Sequence, residues 1–139
     1  MRVFILARYN PAMSNSQHPV VSSAMSTAES TTVDLLIVPV IGSKEDELKR
    51  LKSLDLSGQG AIARAFETGE FANKRNQTLL VELHGGDWKA RRALLVGTRE
   101  RYWSTPNSRY LEDGFRYASA VGARIAGKLK VTTVGVLFP

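Results

Sequence analysis

Apolar and polar positions in this chain fall into blocks of two kinds, short apolar runs and stretches with helical spacing. Residues 31–42, TTVDLLIVPVIG, are an almost unbroken apolar run rich in Val, Leu and Ile. Such a run predicts a strand buried on both faces, ended by Gly42. Ser43 then stands where a helix N-cap belongs, with Asp46 three residues on as a variant capping box. Residues 44–54, KEDELKRLKSL, follow as an amphipathic helix with Leu48 and Leu51 facing inward. Glu45–Lys49 and Asp46–Arg50 are its expected i,i+4 pairs. The acidic triplet Glu45–Asp46–Glu47 falls in the first turn, where carboxylates complement the helix dipole. On this reading the triplet is a solvated helix start and not an acid–base site.

Ser57 is a second candidate N-cap. Ile62, Ala65 and Phe66 share one face of a short helix that Gly69 ends at the C′ position. Residues 77–83 (QTLLVEL) and 92–98 (RALLVGT) predict two neighbouring strands, joined by a turn at Gly85–Gly86. Thr105–Pro106 opens the longest helix. Leu111, Phe115, Ala118, Gly122, Ile125 and Leu129 form its apolar stripe, with Arg109, Glu112, Arg116 and Arg124 outside it. Gly114, Gly122 and Gly127 cost helix propensity, so close packing against a sheet is their expected use. Residues 130–139 (KVTTVGVLFP) predict a last strand. The order β-α-α-β-β-α-β implies a mixed sheet layered by helices. The last strand has the pattern of a buried strand with nothing after it to cover it, which suggests a domain cut short at residue 139.

Residues 1–31 differ from the rest. They carry no acidic residue before Glu29, two arginines, two prolines and many serines. The run Val3–Ala7 is too short for a signal-peptide core, and Arg8 closes it. The expectation is a disordered leader, or an extension ahead of a true start at Met25, with little tertiary structure before about residue 31.

Composition removes several classes of chemistry. The chain has 139 residues and no cysteine, so disulfides, iron–sulfur clusters and thiolate zinc sites are excluded. No apolar run reaches the roughly 18 residues of a membrane span. The net charge is +6. Residues 1–60 hold six basic and six acidic residues, and residues 61–139 hold thirteen and seven. The basic residues are scattered, which reads as a solvated surface. A nucleic-acid surface is the weaker alternative, and it predicts salt-dependent retention of DNA.

The candidate chemistry is thin. Gly58, Gly60 and Ala63 spell G-x-G-x-x-A, a dinucleotide-binding fingerprint. That site needs a strand before its glycines and an acidic residue about 20 positions on. Here a helix precedes, and Glu82 at that distance falls inside a strand. The histidines are His18 and His84. His84 and Asp87 flank one turn, and two ligands without a third make a weak metal site. No G-x-S-x-G elbow is present to expose a serine. Asn76–Thr78 is a formal glycosylation sequon, without a signal peptide to make it relevant. Trp88, Tyr102, Trp103 and Tyr110 lie near arginines but do not alternate regularly, so rim packing is their expected role. No catalytic, cofactor-binding or metal-ligating residue is assigned.

Five blocks in order carry a family resemblance. TVDLLIVPV, then LDLSGQGAIARAFETGEFANKRNQTLLVELHG, then RRALLVGTRERY, then a long Ala/Gly-containing helix, then LKVTTVGVLFP resemble the N-terminal domain of the leucyl (cytosol) aminopeptidases. The resemblance covers about residues 32–139. It implies an α/β, three-layer, macro-domain-like fold with a mixed β-sheet flanked by helices. It also implies a cytoplasmic, hexameric parent enzyme that removes N-terminal amino acids from peptides with two divalent ions, zinc or manganese. The family's metal ligands and catalytic Lys and Arg belong to its C-terminal domain, and the signature NTDAEGRL is absent here. The implied partners are therefore that catalytic domain and further copies of the same protein. The macro-like fold raises a second expectation, an ADP-ribose or nucleotide module at Gly58–Gly60. Against it stand Gln59 in the loop and the absence of an asparagine before it.

Overall fold

The computed structural model describes residues 2–8, 26, 27, 30–98 and 108–138. Its elements are β1 (Arg2–Arg8), β2 (Ser26–Thr27), β3 (Leu35–Val40), α1 (Lys44–Arg50), α2 (Lys52–Ser57), α3 (Ala61–Thr68), β4 (Thr78–Glu82), β5 (Arg92–Gly97), α4 (Ser108–Leu129) and β6 (Thr133–Phe138). They build one mixed sheet in the order β2-β1-β6-β3-β5-β4. β3 runs parallel to β5 and β6, while β4 and β1 join antiparallel on either side. The α/β expectation therefore holds.

The three layers follow from the side-chain alternation of the strands. Leu36, Val38 and Val40 of β3 face one core with Leu51, Leu54, Ile62, Phe66 and Trp88. Leu35 and Ile37 face the other with Ala118 and Val121 of α4. Every residue of β3 is buried, which explains why its sequence shows a continuous run and no alternation.

Close packing of α4 on β3 requires a glycine at 122. A Cβ at Gly122 would lie 2.6 Å from Ile37 Cγ1 and closer still to Cδ1, so any side chain there pushes the helix off β3. Gly127 meets nothing within 4 Å, so of these two glycines the expected packing role belongs to Gly122. Thr105 and Pro106 lie outside the described residues, and the described helix begins at Ser108.

Several local expectations change. The helix expected over 44–54 is two helices, because the chain turns at Leu51 (φ −93°, ψ 11°). Ser43 does cap α1, accepting from the Asp46 N–H. Arg50 pairs with Glu47 and not Asp46, and also donates to the Pro39 carbonyl at 2.8 Å. Glu47 is accordingly buried, and it accepts from the Gly42 N–H. The acidic triplet is thus not wholly a solvated helix start. Gly69 ends α3 in the left-handed conformation, as its position predicts.

The larger surprise concerns the first residues. The run expected to belong to a leader without tertiary structure includes β1, which pairs with β6 from Arg2↔Phe138 to Arg8↔Thr133. β6 therefore lies between β1 and β3 and is not left uncovered. The pairing joins residues more than a hundred positions apart, which local composition cannot reveal. Residues 9–25, with His18 and Met25, lie outside the described residues.

Candidate functional site at the glycine turns

The two glycine-bearing turns singled out in the sequence come together in space. Residues 57–60 close α2, and residues 84–87 leave β4. The His84 N–H donates to the Ser57 carbonyl at 2.9 Å, tying one turn to the other. A Cβ at Gly86 would come within 3.0 Å of Ser57 Oγ, and one at Gly58 within 2.7 Å of Val81 Cγ1. Both glycines therefore serve close approach between the helices and the β4 turn. Beside them lies an open cleft of about 380 Å³, lined by Ser53, Leu56, Ser57, Gln59 and His84 through Asp87.

Phosphate binding here would require free backbone N–H groups at the start of α3. None is free from Gly58 to Arg64. Gly58, Gln59, Gly60 and Ala61 donate to the carbonyls of Leu54, Leu56, Asp55 and Gly58, and Arg64 donates to that of Gly60. The remaining two, Ile62 and Ala63, donate to Asp55 Oδ1 at 2.8 and 3.2 Å. A carboxylate of the chain itself thus occupies the place that a phosphate would take, and it caps α3 from the preceding helix. The expectation that Ser57 caps a helix is corrected here. Ser57 is the last residue of α2, and the N-cap position of α3 is Gly60, at φ +77°. A cap reaching seven residues forward leaves no local motif, so Asp55 carried no sequence signal.

The element before the glycines is a helix, as the sequence indicated, and this too removes the dinucleotide fingerprint. Glu82, expected inside a strand, is instead the last residue of β4 and exposed, so the preceding helix and the occupied N–H groups are what remove the fingerprint. Gln59 holds φ +55°, an uncommon conformation for a residue with a Cβ, and the tight α2–α3 joint imposes it.

In open α/β sheets the other usual ligand position lies beyond the carboxyl ends of the parallel strands. Here the chain fills it. A Cβ on Gly97 would overlap the Lys74 carbonyl, so the 73–74 backbone crosses directly over the end of β5. Asn73 is buried and bridges the two strand ends, donating to the Gly42 carbonyl and accepting from the Thr98 N–H. The Thr98 hydroxyl donates to the Val40 carbonyl at 2.8 Å.

The aromatic candidates separate. Trp88 is buried, and its indole N–H donates to Ser53 Oγ at 2.9 Å, so it is a core residue and not a stacking platform. The side chains of Tyr102, Trp103 and Tyr110 lie outside the described residues. Asn76 of the sequon is exposed and accepts from the Tyr117 hydroxyl, while Arg75 lies over the Tyr117 ring.

These observations describe a domain whose loops are spent on its own architecture. Comparison with known proteins supplies the family. The sequence model of the "Cytosol aminopeptidase family, N-terminal domain" matches residues 37–139. The chain belongs to the cytosol aminopeptidase family. It is also similar to a "Probable cytosol aminopeptidase" of Gloeobacter violaceus (strain ATCC 29082 / PCC 7421), at 29% identity over 106 residues. That stretch is 76% of this chain and 20% of the relative. The chain thus spans about a fifth of the curated relative's length.

The chemistry of an aminopeptidase centre does not fit the described residues of this family member. Two bridged divalent ions need several convergent carboxylate or imidazole ligands. His84 and Asp87 share a turn, both exposed, and no group of three His, Asp or Glu side chains is gathered among the described residues. Among the described residues no helix is long and apolar enough to cross a membrane.

Proposed function

We propose that this chain is a non-catalytic N-terminal portion of a cytoplasmic, two-metal aminopeptidase that removes N-terminal amino acids from peptides. Its role is structural, to pack against the catalytic domain and support assembly of the oligomer, a hexamer in the family it resembles. The observation that carries this reading is the internal satisfaction of the loops. Asp55 occupies the anion position of α3, and Asn73 with Lys74 covers the carboxyl ends of β3 and β5. Backbone spent in this way offers no free N–H cradle for an anionic ligand at either place, which supports a structural role over a nucleotide-binding one. The same geometry weighs against an ADP-ribose module.

The test is an assay of the purified chain on leucine-4-nitroanilide with added Mn²⁺, together with calorimetry against ADP-ribose. No turnover and no heat of binding are expected. Sustained turnover lost on His84→Ala, or a saturable heat with ADP-ribose, would overturn the reading.

A further inference from the structure

β4 ends the sheet order, and among the described residues its outer edge has no strand partner. The ladder to β5 fixes which groups point outward. Gly97 N–H donates to the Gln77 carbonyl, and Leu83 N–H donates to the Arg91 carbonyl. With the register Thr78↔Val96 to Glu82↔Arg92, residues 77, 79, 81 and 83 bond inward. Alternation then aims the N–H and C=O groups of Thr78, Leu80 and Glu82 away from the sheet. All three are exposed. Of the devices that blunt such an edge the five-residue strand carries one charge, Glu82, at its end, and no proline, lysine or bulge.

Two large apolar side chains of the described residues stand open, Leu80 (43% exposed) and Leu56 (72%). Leu80 is the central residue of β4. Alternation puts the two on opposite faces of the sheet, because Leu79 and Val81 face the α1–α3 core and Leu56 belongs to α2, so Leu80 is the apolar side chain of the edge itself.

We propose that β4 is an association edge that pairs antiparallel with β4 of a second copy of this chain, joining two sheets into one. This deepens the oligomer-supporting role proposed above and rests on it. The occupant follows from self-complementarity. Registers that match outward groups to outward groups are few. The one centred on Leu80 sets Leu80 against Leu80′, Thr78 against Glu82′ and Glu82 against Thr78′. It makes the most rungs, about six backbone hydrogen bonds, and opposes no like charges. On the opposite sheet face it sets Leu79 against Val81′. Centring on Glu82 would oppose two carboxylates, and centring on Thr78 leaves both leucines unmatched. An isologous contact of this kind closes on two copies and does not propagate. A contact confined to one short strand edge belongs to the small, weak class of interfaces, so weak association is expected.

The experiment is sedimentation velocity of the full chain from about 1 to 200 µM, with folding of each variant checked by circular dichroism. The wild type is expected to dimerise across that range. Leu80→Lys sets two ammonium groups face to face on the two-fold axis and is expected to weaken dimerisation at least tenfold. Thr78→Lys sets a lysine against Glu82′ twice and is expected to tighten it about threefold or more. A general hydrophobic contact through Leu80 would not respond to Thr78→Lys. A wild type that stays monomeric at 200 µM overturns the proposal, as does a dimer indifferent to both variants or a Thr78→Lys variant that dimerises less. Turnover on leucine-4-nitroanilide would refute the non-catalytic reading and leave the sedimentation result standing, so the two failures are distinguishable.

Discussion

Asp55 offers the sharpest check on how the glycine loop is used. Its carboxylate takes two backbone N–H groups at the start of α3, and Gly60 at the N-cap position has no side chain to replace it. Asp55→Ala removes both acceptors. Loss of a capping side chain costs about 1 kcal/mol, up to about 2 in a protein context. Loss of a negative charge beside a helix N-terminus adds about 0.5 kcal/mol. The Asp55 backbone bonds to Leu51 and Gly60 are untouched, since they need no side chain. The expected total is about 2 kcal/mol, which for a domain of this size lowers the melting temperature by about 8 °C. Asp55→Asn keeps an acceptor oxygen and loses only the charge, so about 0.5 kcal/mol is expected. Urea unfolding followed by tryptophan fluorescence suits the assay, because buried Trp88 bonds to Ser53 of the adjoining helix. The m-value should stay constant across the three proteins. If Asp55→Ala unfolds within about 0.3 kcal/mol of the wild type, the carboxylate is not satisfying α3. Water would then be doing so, and the argument that the anion position is filled from within would fail. If Asp55→Asn costs as much as Asp55→Ala, the charge matters more than the acceptor, and the capping argument is wrong in its physics.

Two further outcomes follow from the packing and the electrostatics. Gly122→Ala gains about 1 kcal/mol of helix propensity, but the added methyl overlaps Ile37, and overpacking costs about 1–3 kcal/mol. A net loss of about 1 kcal/mol is expected, against a gain of about 0.5–1 kcal/mol for Gly127→Ala, which meets nothing. Equal effects of the two, measured by thermal unfolding, would remove Gly122 as the contact that seats α4. Asp34 is held below the usual aspartate range, chiefly by the Thr132 hydroxyl at 2.6 Å, with backbone N–H groups of Thr132 and Thr133 assisting and burial opposing. A lowered folded value means that its contribution is fully present above about pH 3.9 and fades as pH falls through the folded value. The stability difference between wild type and Asp34→Asn should therefore be constant near neutrality and shrink below about pH 4. A difference that grows on acidification would refute the assignment.

The blocks of apolar residues foretold most elements because burial patterns are local in a strand or helix. The run at 35–40, the stripe Ala118–Gly122–Ile125 and the Gly85–Gly86 turn all stand where the spacing put them. The site was less legible. Gly58–Gln59–Gly60 spelled a phosphate loop, and the spelling was silent on where the N–H groups point. Asp55 reaches its acceptor role across a helix junction, and Asn73 and Lys74 reach theirs across the sheet. Those bonds join residues that are neighbours only after folding.

What this chain determined by its sequence alone was its class and its family. Hydrophobic periodicity specifies strands and helices, and the order of five blocks specifies the aminopeptidase N-terminal domain. Only the tertiary structure decided how the free edges and loops are used. It placed β1 against β6, buried Glu47 with Arg50, filled the start of α3 with Asp55 and, among the described residues, left the outer side of β4 without a strand partner. The physical reason is that backbone groups must find partners, and which partner each finds depends on what the whole fold brings within about 3 Å.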